Sequence, residues 1–323
     1  MKVLVTGGTG FLGRHLARAL LERGDRPYLL GRDFAPAAEA LASGAVAVRA
    51  DLRDREAVAA ACRGIDAVVH AGALSAPWGP RAEFHAVNVG GTEAVLAGCR
   101  RHGVGRLVHV SSPSVVFDGR DQVDLTEAAP YPRRFTSVYS LTKKLAEDRV
   151  AAALDVPAVI LRPKAIFGPG DRALLPRLVD AARAGRLPQV GDGSNRVDLT
   201  CVDNVVHAIL LALEAPAAVG RTYHVTNDEH VPLWPTIRGV LERLEVPARL
   251  RPVPLPVVLA AAALMEARAA VTGREPTLTR YSAAILGRTQ TYDITAALRD
   301  LGYVPRVSVA EGIERTLASL VGG

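Results

Sequence analysis

A chain of 323 residues, 49% apolar and 22% charged, is long enough for one large domain or two modest ones with a sizeable core. Its formal charge of +6 raises the question of nucleic acid. The arginines are scattered, however, and their densest clusters are pairs such as Arg100–Arg101 and Arg133–Arg134, so the surplus better suits attraction of an anionic small ligand.

Short β-rich runs alternate with longer helix-period runs from the start. "KVLVT" (2–6) precedes a helix over 11–23 that ends at Gly24, and "PYLL" (27–30) precedes a helical stretch near 35–42. "AVAVRA" (45–50) leads to a helix over 54–62, and "AVVHAG" (67–72) leads to one around 81–101. "RLVHVSS" (106–112) is followed by a helix beginning near Val138, then by "AVILRP" (158–163). Continuous apolar strands separated by helices indicate a parallel sheet buried on both faces. Right-handed crossovers make it an α/β, doubly wound (Rossmann) sheet.

After Pro163 the punctuation becomes Gly/Pro-rich, in "FGPGDR", "VGDGSN" and "RPVPLP". Helices are predicted over 174–184, 202–214, 235–245 and 256–270, and "TYHVTN" (222–227) reads as a strand returning to the sheet. The predicted organisation is a dinucleotide-binding domain over 1–165, with a return segment near 199–227. A smaller C-terminal substrate lobe takes 166–198 and 228–323. Cys62, Cys99 and Cys201 show no CxxC pair and no metal-ligand spacing, as expected of isolated thiols in a reducing cytosol. The N-terminal apolar run is too short for a signal peptide, and the run in "VPLPVVLAAAALMEARAA" reaches Glu266 after little more than a dozen residues. No membrane span, no metal and a cytoplasmic location are expected.

"VTGGTGFLGRHL" sets Gly7, Gly10 and Gly13 between the first strand and its helix. Gly7 permits the tight turn, Gly10 lets a pyrophosphate approach the backbone, and Gly13 allows close packing of helix on strand. The helix N-terminus then offers free N–H groups to the phosphates. At the end of the second strand, where a carboxylate would read an NAD ribose, stand Gly31 and Arg32, with Asp33 one residue beyond. Gly31 leaves room for a 2′-phosphate, Arg32 can hold it bidentately, and Arg14 can approach it. NADP(H) is therefore favoured over NAD(H). Asp51 suits either the adenine amino group or a helix N-cap.

Tyr139 and Lys143, four apart at the head of a helix, share one face. The chain has only four lysines, and one of them stands a turn after this tyrosine. An ammonium lowers the pKa of a nearby phenol, and hydride transfer to a carbonyl needs such a proton donor. Ser112, twenty-seven residues earlier at a strand tip, can hydrogen-bond the same carbonyl oxygen; its neighbour Ser111 is the other candidate.

With "TGGTGFLG", "DLRD", "HAGA", "NVGGTEAVL", "VSSPSVV", "YSLTK" and "LRPKAIFGPGD" the chain resembles, over nearly its whole length, the extended, epimerase-like branch of the short-chain dehydrogenase/reductases. The resemblance implies a triad in which Ser112 polarises the carbonyl, Tyr139 is the acid/base, and Lys143 holds the nicotinamide ribose while tuning Tyr139. It also brings Phe11, Leu12, Leu52, Ala71, Gly72, Ala73 and Pro163 into the cofactor site. It implies a homodimer paired through helices near 81–101 and 138–154. "APWGPRAEFHAVNVGGT", "VGDGSNRVDLTCVDN" and "LGYVPRVSVAEGI" look most like the 3β-hydroxysteroid dehydrogenase-like group, and closest to bacterial reductases of 2-alkyl-3-keto acids in olefin biosynthesis.

The expected activity interconverts a ketone and a secondary alcohol on a hydrophobic β-keto acid or related small molecule. Ser75, Trp78 and Phe167 are candidate substrate contacts, and Arg196 or Arg280 a candidate partner for its carboxylate. The apolar helix 256–270 could wall an alkyl pocket or simply pack against the lobe. The alternatives are a 3β-hydroxysteroid dehydrogenase-like activity, and a sugar-nucleotide epimerase that retains NAD and holds a diphosphate with Arg177, Arg196 and Arg280. A non-catalytic NADP-sensing module is a third, although it would have no need of a tuned phenol.

Overall fold

The computed structural model describes residues 1–171, 174–247 and 249–321. Five strands, β1 (Lys2–Thr6), β2 (Arg26–Gly31), β3 (Val46–Arg49), β4 (Ala67–His70) and β5 (Arg106–Val110), join Ala158–Pro163 and Thr222–Val225 in one sheet. Its order is Thr222–Val225, Ala158–Pro163, β5, β4, β1, β2, β3, and every pairing is parallel. All four residues of β4 and all six of Ala158–Pro163 are buried, as continuous apolar runs require when helices cover both faces.

The first helix, α1 (Phe11–Glu22), and the helix Val202–Glu214 cover one face through Leu16, Leu20, Val205 and Ile209. Arg55–Ala61, Gly91–His102 and Val138–Ala151 cover the other through Val58, Val95, Leu96 and Val150. Chain direction across the sheet reverses between β1 and β4, which opens a crevice at the carboxyl ends of those strands.

Two predicted helices are interrupted. The stretch near 35–42 is a 3₁₀ turn, Ala35–Ala37, running into Ala38–Ala42. The helix expected around 81–101 is Arg81–Phe84, then a π-helical turn His85–Gly90, then Gly91–His102.

Beyond Pro163 a second core forms around Trp234, which is fully buried among Val179, Ile237, Leu241, Val258 and Ala262 and donates its indole N–H to Leu286 O at 3.1 Å. A four-stranded sheet (His230–Pro232, Arg196–Asp198, Gln290–Tyr292, Gln122–Leu125) ties this lobe to the segment that follows Ser112.

The apolar helix is longer than the sequence suggested, Leu255–Thr272, and its 18 residues are long and apolar enough to cross a membrane by length and composition. It continues past Glu266, whose carboxylate accepts from the backbone N and Nε of Arg280, both at 2.7 Å. Its buried edge (Leu255, Val258, Ala262) packs on the Trp234 core, while Leu264 and Val271 face outward, 73% and 88% exposed.

Candidate active site

The turn after β1 is built for close approach. Gly7 has φ +66°, and a Cβ there would lie 2.7 Å from Gly72 Cα; a Cβ on Gly13 would lie 2.2 Å from Gly7 O. Backbone therefore packs on backbone where β1, α1 and the loop after β4 meet. The opening turn of α1 has no side-chain cap, so its N–H groups are left for a ligand. The cradle fits a dinucleotide pyrophosphate. Arg14 reaches back over the turn instead, its Nη2 3.4 Å from Gly170 O, and His15 bonds Pro169 O at 2.8 Å. Phe11, from the same turn, packs against Gly168.

At the tips of β2 and β3 a basic edge forms. Arg32 is exposed, 3.6 Å from Asp51, while Arg53 grips Asp51 bidentately at 2.9 and 2.6 Å. The Arg53 hydrogen bond leads in holding the Asp51 carboxyl down to about 2, with burial opposing it. Asp51 is not the helix cap; Asp54 takes that place, accepting from Ala57 N at 3.1 Å. Asp33 is drawn into its own turn, accepting from Ala35 N at 3.1 Å. Gly31 is small because Thr9 packs on it, with atoms 2.9 Å from a notional Cβ.

The loop after β4 carries Ala71, Gly72, Ala73, Ser75 and Trp78. Gly72 N donates to Thr6 Oγ1 at 3.1 Å, and a Cβ on Gly72 would strike Leu52 at 2.8 Å. Thr6 Oγ1 bonds His70 Nδ1 at 2.7 Å, and His70 Nε2 bonds Thr92 Oγ1 at 3.0 Å. Burial, helped by Lys143, drops His70 to about 3, so the ring is neutral. Asn88, in the π turn, clamps Leu74 from both sides: its Oδ1 accepts from Leu74 N at 2.7 Å and its Nδ2 donates to Leu74 O at 3.1 Å. The same Nδ2 reaches Thr142 on the Tyr139 helix at 3.0 Å. Asn88 and Thr142 were not singled out in the sequence, although the motif "NVGGTEAVL" contains the former. A π turn at a functional site is a recurrent device, because the extra residue turns one side chain out of helical register.

Ser112 follows β5 and accepts from Ser114 N at 3.2 Å, starting the 3₁₀ turn Pro113–Val116. Ser111 is buried, its backbone N bonded to Leu161 O at 2.6 Å, while Ser112 is only partly buried. Ser137 caps the helix Val138–Ala151 by accepting from Ser140 N at 3.0 Å, placing Tyr139 and Lys143 in its first turns. Burial raises the pKa of the Tyr139 phenol, and Ser112 opposes the rise. Lys143 is 3% exposed, donates to Val110 O at 2.8 Å and lies 3.5 Å from His109 Nε2. Burial lowers its ammonium to about 8, with Glu147, one turn further along, acting against that shift. Glu147 itself is paired bidentately with buried Arg162 at 2.9 and 2.7 Å, and both meet the Tyr131 hydroxyl at 3.0 Å. Pro163 follows Arg162 at the end of its strand.

The structure does not bring the other predicted substrate contacts to this group. Phe167 is buried in a separate apolar cluster with Cys201, Val307 and Val309. Arg196 is bonded to His230 O and Arg280 to Glu266, and Arg177 is exposed on its helix. The residue beside Arg280 turns inward instead. Thr279 caps the helix Arg280–Gly287, accepting from Ser282 N at 3.0 Å, and burial, reinforced by Tyr139, raises the ionisation of the neighbouring Tyr281 phenol.

Comparison with known proteins identifies the family and the fold. The model of the 3-beta hydroxysteroid dehydrogenase/isomerase family matches residues 4–255. The chain is 41% identical to a 2-alkyl-3-oxoalkanoate reductase of Stenotrophomonas maltophilia, covering 99% of both. It is 35% identical to the mouse decarboxylating sterol-4-alpha-carboxylate 3-dehydrogenase, over 98% of this chain and 90% of that one. Among solved structures, the dTDP-glucose 4,6-dehydratase DesIV of Streptomyces venezuelae, with NAD and TYD bound, superposes with a TM-score of 0.80 at 27% identity, over 100% of this chain and 98% of that one.

Proposed function

Since the chain belongs to the 3-beta hydroxysteroid dehydrogenase/isomerase family, and so to the nicotinamide-dependent dehydrogenases and reductases of the extended short-chain branch, we propose that it interconverts the ketone of a hydrophobic 2-alkyl-3-oxo acid and the corresponding secondary alcohol with NADP(H). The observation that carries the reading is a buried Lys143 one helical turn after a half-buried Tyr139 whose ionisation Ser112 moderates, at the crevice end of a glycine cradle. The substrate class rests on likeness to the reductase of Stenotrophomonas maltophilia, whose name specifies such an acid.

In this reading Gly7, Gly10 and Gly13 receive the pyrophosphate, Phe11 and Leu12 begin the helix that faces it, and Leu52 with Ala71–Ala73 borders the nucleoside. Lys143 and Pro163 border the nicotinamide half. Bound there, the nicotinamide supplies or accepts the hydride at the carbonyl carbon. Ser112 donates to the ketone oxygen, and Tyr139 delivers the proton that converts that oxygen to a hydroxyl. Lys143, kept partly charged by Glu147, favours the phenolate that remains. Arg32, with Arg53 beside it, supports NADP over NAD, and Asp33 offers little opposition while it caps its own turn. Ser75 and Trp78 border the substrate's approach, the lobe 166–198 with 228–323 holds its chains, and the protein pairs through the helices at 81–102 and 138–151.

The test follows nicotinamide absorbance as the purified protein meets NADPH, or separately NADH, with a 2-alkyl-3-oxo acid. Preferential consumption of NADPH is expected; no consumption with either cofactor would overturn the substrate reading. A nucleotide-sugar reaction is the second reading, favoured by the likeness to DesIV. Against it, Arg196 and Arg280 are already engaged elsewhere. Copurified NAD with no net turnover of added cofactor would support it.

A further inference from the structure

We propose that His109 is a positioning residue of the same site, its neutral ring accepting an N–H of the Lys143 ammonium and so holding that cation for Tyr139. The proposal rests on the reading above and makes it more specific. His109 lies on β5 in register with His70 of β4 on one side and Ile160 of the strand Ala158–Pro163 on the other. Alternation along β5 gives Val108 and Val110 to one core and Leu107 to the other, which Val150 of the Tyr139 helix shares. On that second face His109 Nε2 lies 3.5 Å from Lys143 Nζ, and Val110 O accepts from the same ammonium at 2.8 Å. An ammonium has three N–H groups and no lone pair, so the ring can only be the acceptor. Consecutive residues of β5 thus engage two of the three N–H groups, and one is left for the phenolate or the cofactor.

The acceptor role fixes the tautomer. With Nε2 accepting, the ring proton sits on Nδ1, which has no well-formed hydrogen-bond partner although the residue is fully buried. His70, its ring centroid 5.2 Å away, cannot supply one. Thr92 Oγ1 donates to Asn88 O and so takes the proton of His70 Nε2, while His70 Nδ1 accepts from Thr6. A buried unpaired donor is costly, and leucine or valine would fill this strand position without it. Lys143 is the one side-chain hydrogen-bond partner of His109 among the described residues, so that contact is what a histidine provides here. Burial first, then Lys143 and His70, holds His109 well below an ordinary imidazole, so the ring stays neutral and can accept. The other ionisable groups about the ammonium are Tyr139 and Glu147 on its own helix, and Arg162 of Ala158–Pro163, which Glu147 neutralises. The π turn packed on this helix offers only His85, and the Glu93 carboxylate of Gly91–His102 is paired with Arg149. An acceptor favours the charged lysine, as Glu147 does, against the burial that pulls it down.

The experiment follows oxidation of a 2-alkyl-3-hydroxy acid by NADP+ across pH for wild type, His109→Leu and His109→Gln, with NADP+ binding measured separately by fluorescence. Oxidation needs the phenolate as base, so kcat/KM rises with pH along a limb set by the Tyr139–Lys143 pair. In His109→Leu the ammonium loses an acceptor and deprotonates more readily, the phenolate loses its cation, and the limb moves up by about one pH unit. Turnover on the limb then falls by about tenfold, with NADP+ affinity changed less than about twofold. His109→Gln, whose amide oxygen can accept, should hold the limb within about half a unit of wild type. An unmoved limb in His109→Leu, or equal displacement in both variants, would overturn the proposal. Should neither variant fold, the imidazole 15N spectrum of the wild type decides. It must contain a neutral ring protonated on Nδ1 whose Nε2 signal moves as Lys143 titrates near its value of about 8, and absence of that ring overturns the proposal. A wild type that binds NADP+ and oxidises no such acid would overturn the function instead, and the same spectrum would still test the contact.

Discussion

At the scale of single residues, the proposed chemistry concentrates in a phenol, a hydroxyl and an ammonium that the sequence singles out by spacing. What the spacing could not show is their state. Tyr139 is raised by burial and relieved by Ser112, and Lys143 sits near 8 on the carbonyl of Val110. Removing the hydroxyl in Tyr139→Phe takes away the proton donor without altering the ring's packing. Turnover should fall by about 10²–10⁴-fold with cofactor affinity within about twofold, by stopped-flow reduction and fluorescence titration. Unchanged turnover would remove Tyr139 from the proton's path. Arg32 makes a separate prediction. Arg32→Ala should raise KM for NADPH by about tenfold or more and leave NADH alone, because only the 2′-phosphate needs the guanidinium. The placement of Arg280 was not legible in the sequence. "TRYSA" offered a cation at Arg280, and the Thr279 cap sets a helical phase that turns Arg280 outward and Tyr281 inward.

Among the elements, the strands and crossover helices were readable because each has one dominant period: Ala158–Pro163 and Val202–Glu214 fall where their apolar patterns put them. The π turn His85–Gly90 was not readable, because one extra residue in a helix leaves no mark on a 3.6-residue period. Its purpose is local. It lets Asn88 bond both the N–H and the C=O of Leu74 while reaching Thr142, joining the loop after β4 to the Tyr139 helix. Asn88→Leu would leave the N–H and C=O of Leu74 short of a partner at a partly buried site, while Thr142 would keep its bond to Val138 O. A loss of about 2–4 kcal/mol is expected, with KM for cofactor rising as the loop loosens, both measurable by chemical denaturation and titration. The glycine turn is less forgiving. In Gly13→Ala the added methyl meets the Gly7 carbonyl at 2.2 Å, backbone against backbone with no flexible side chain to yield. Cofactor binding should be lost by at least about 100-fold, or the protein should fail to accumulate; retained affinity would mean the turn opens more easily than its packing implies.

For the molecule as a whole, burial of neutral histidines ties stability to pH. His70 bridges Thr6 and Thr92 inside the sheet, and His224 stacks on Tyr292 with ring centroids 4.8 Å apart where the main sheet meets the smaller one. Burial drives both to about 3; Lys143 adds to the shift at His70, and Arg162 adds to it at His224 against the opposing Thr126 carbonyl. A base whose folded-state value lies below its unfolded value binds fewer protons when folded. Between about pH 6.5 and 3 the unfolded chain takes up protons that the folded chain refuses. The contribution is thus fully present above about pH 6.5 and is lost at about 1.4 kcal/mol per pH unit for each histidine as pH falls. The composition gave eight histidines and no means of telling which would be sealed in, because that depends on how the two sheets close over them. His224 offers the cleaner test, since neither ring nitrogen has a well-aligned partner to lose. His224→Phe keeps the aromatic contact and the backbone bond to Glu127, and it removes one titrating base from the seam. The unfolding free energy of this variant should decline less steeply than that of the wild type between pH 6.5 and 5, the gap widening by about 1 kcal/mol per unit in parallel denaturant titrations. Parallel curves would mean that His224 is protonated in the folded state, and that the seam between the sheets admits a charge.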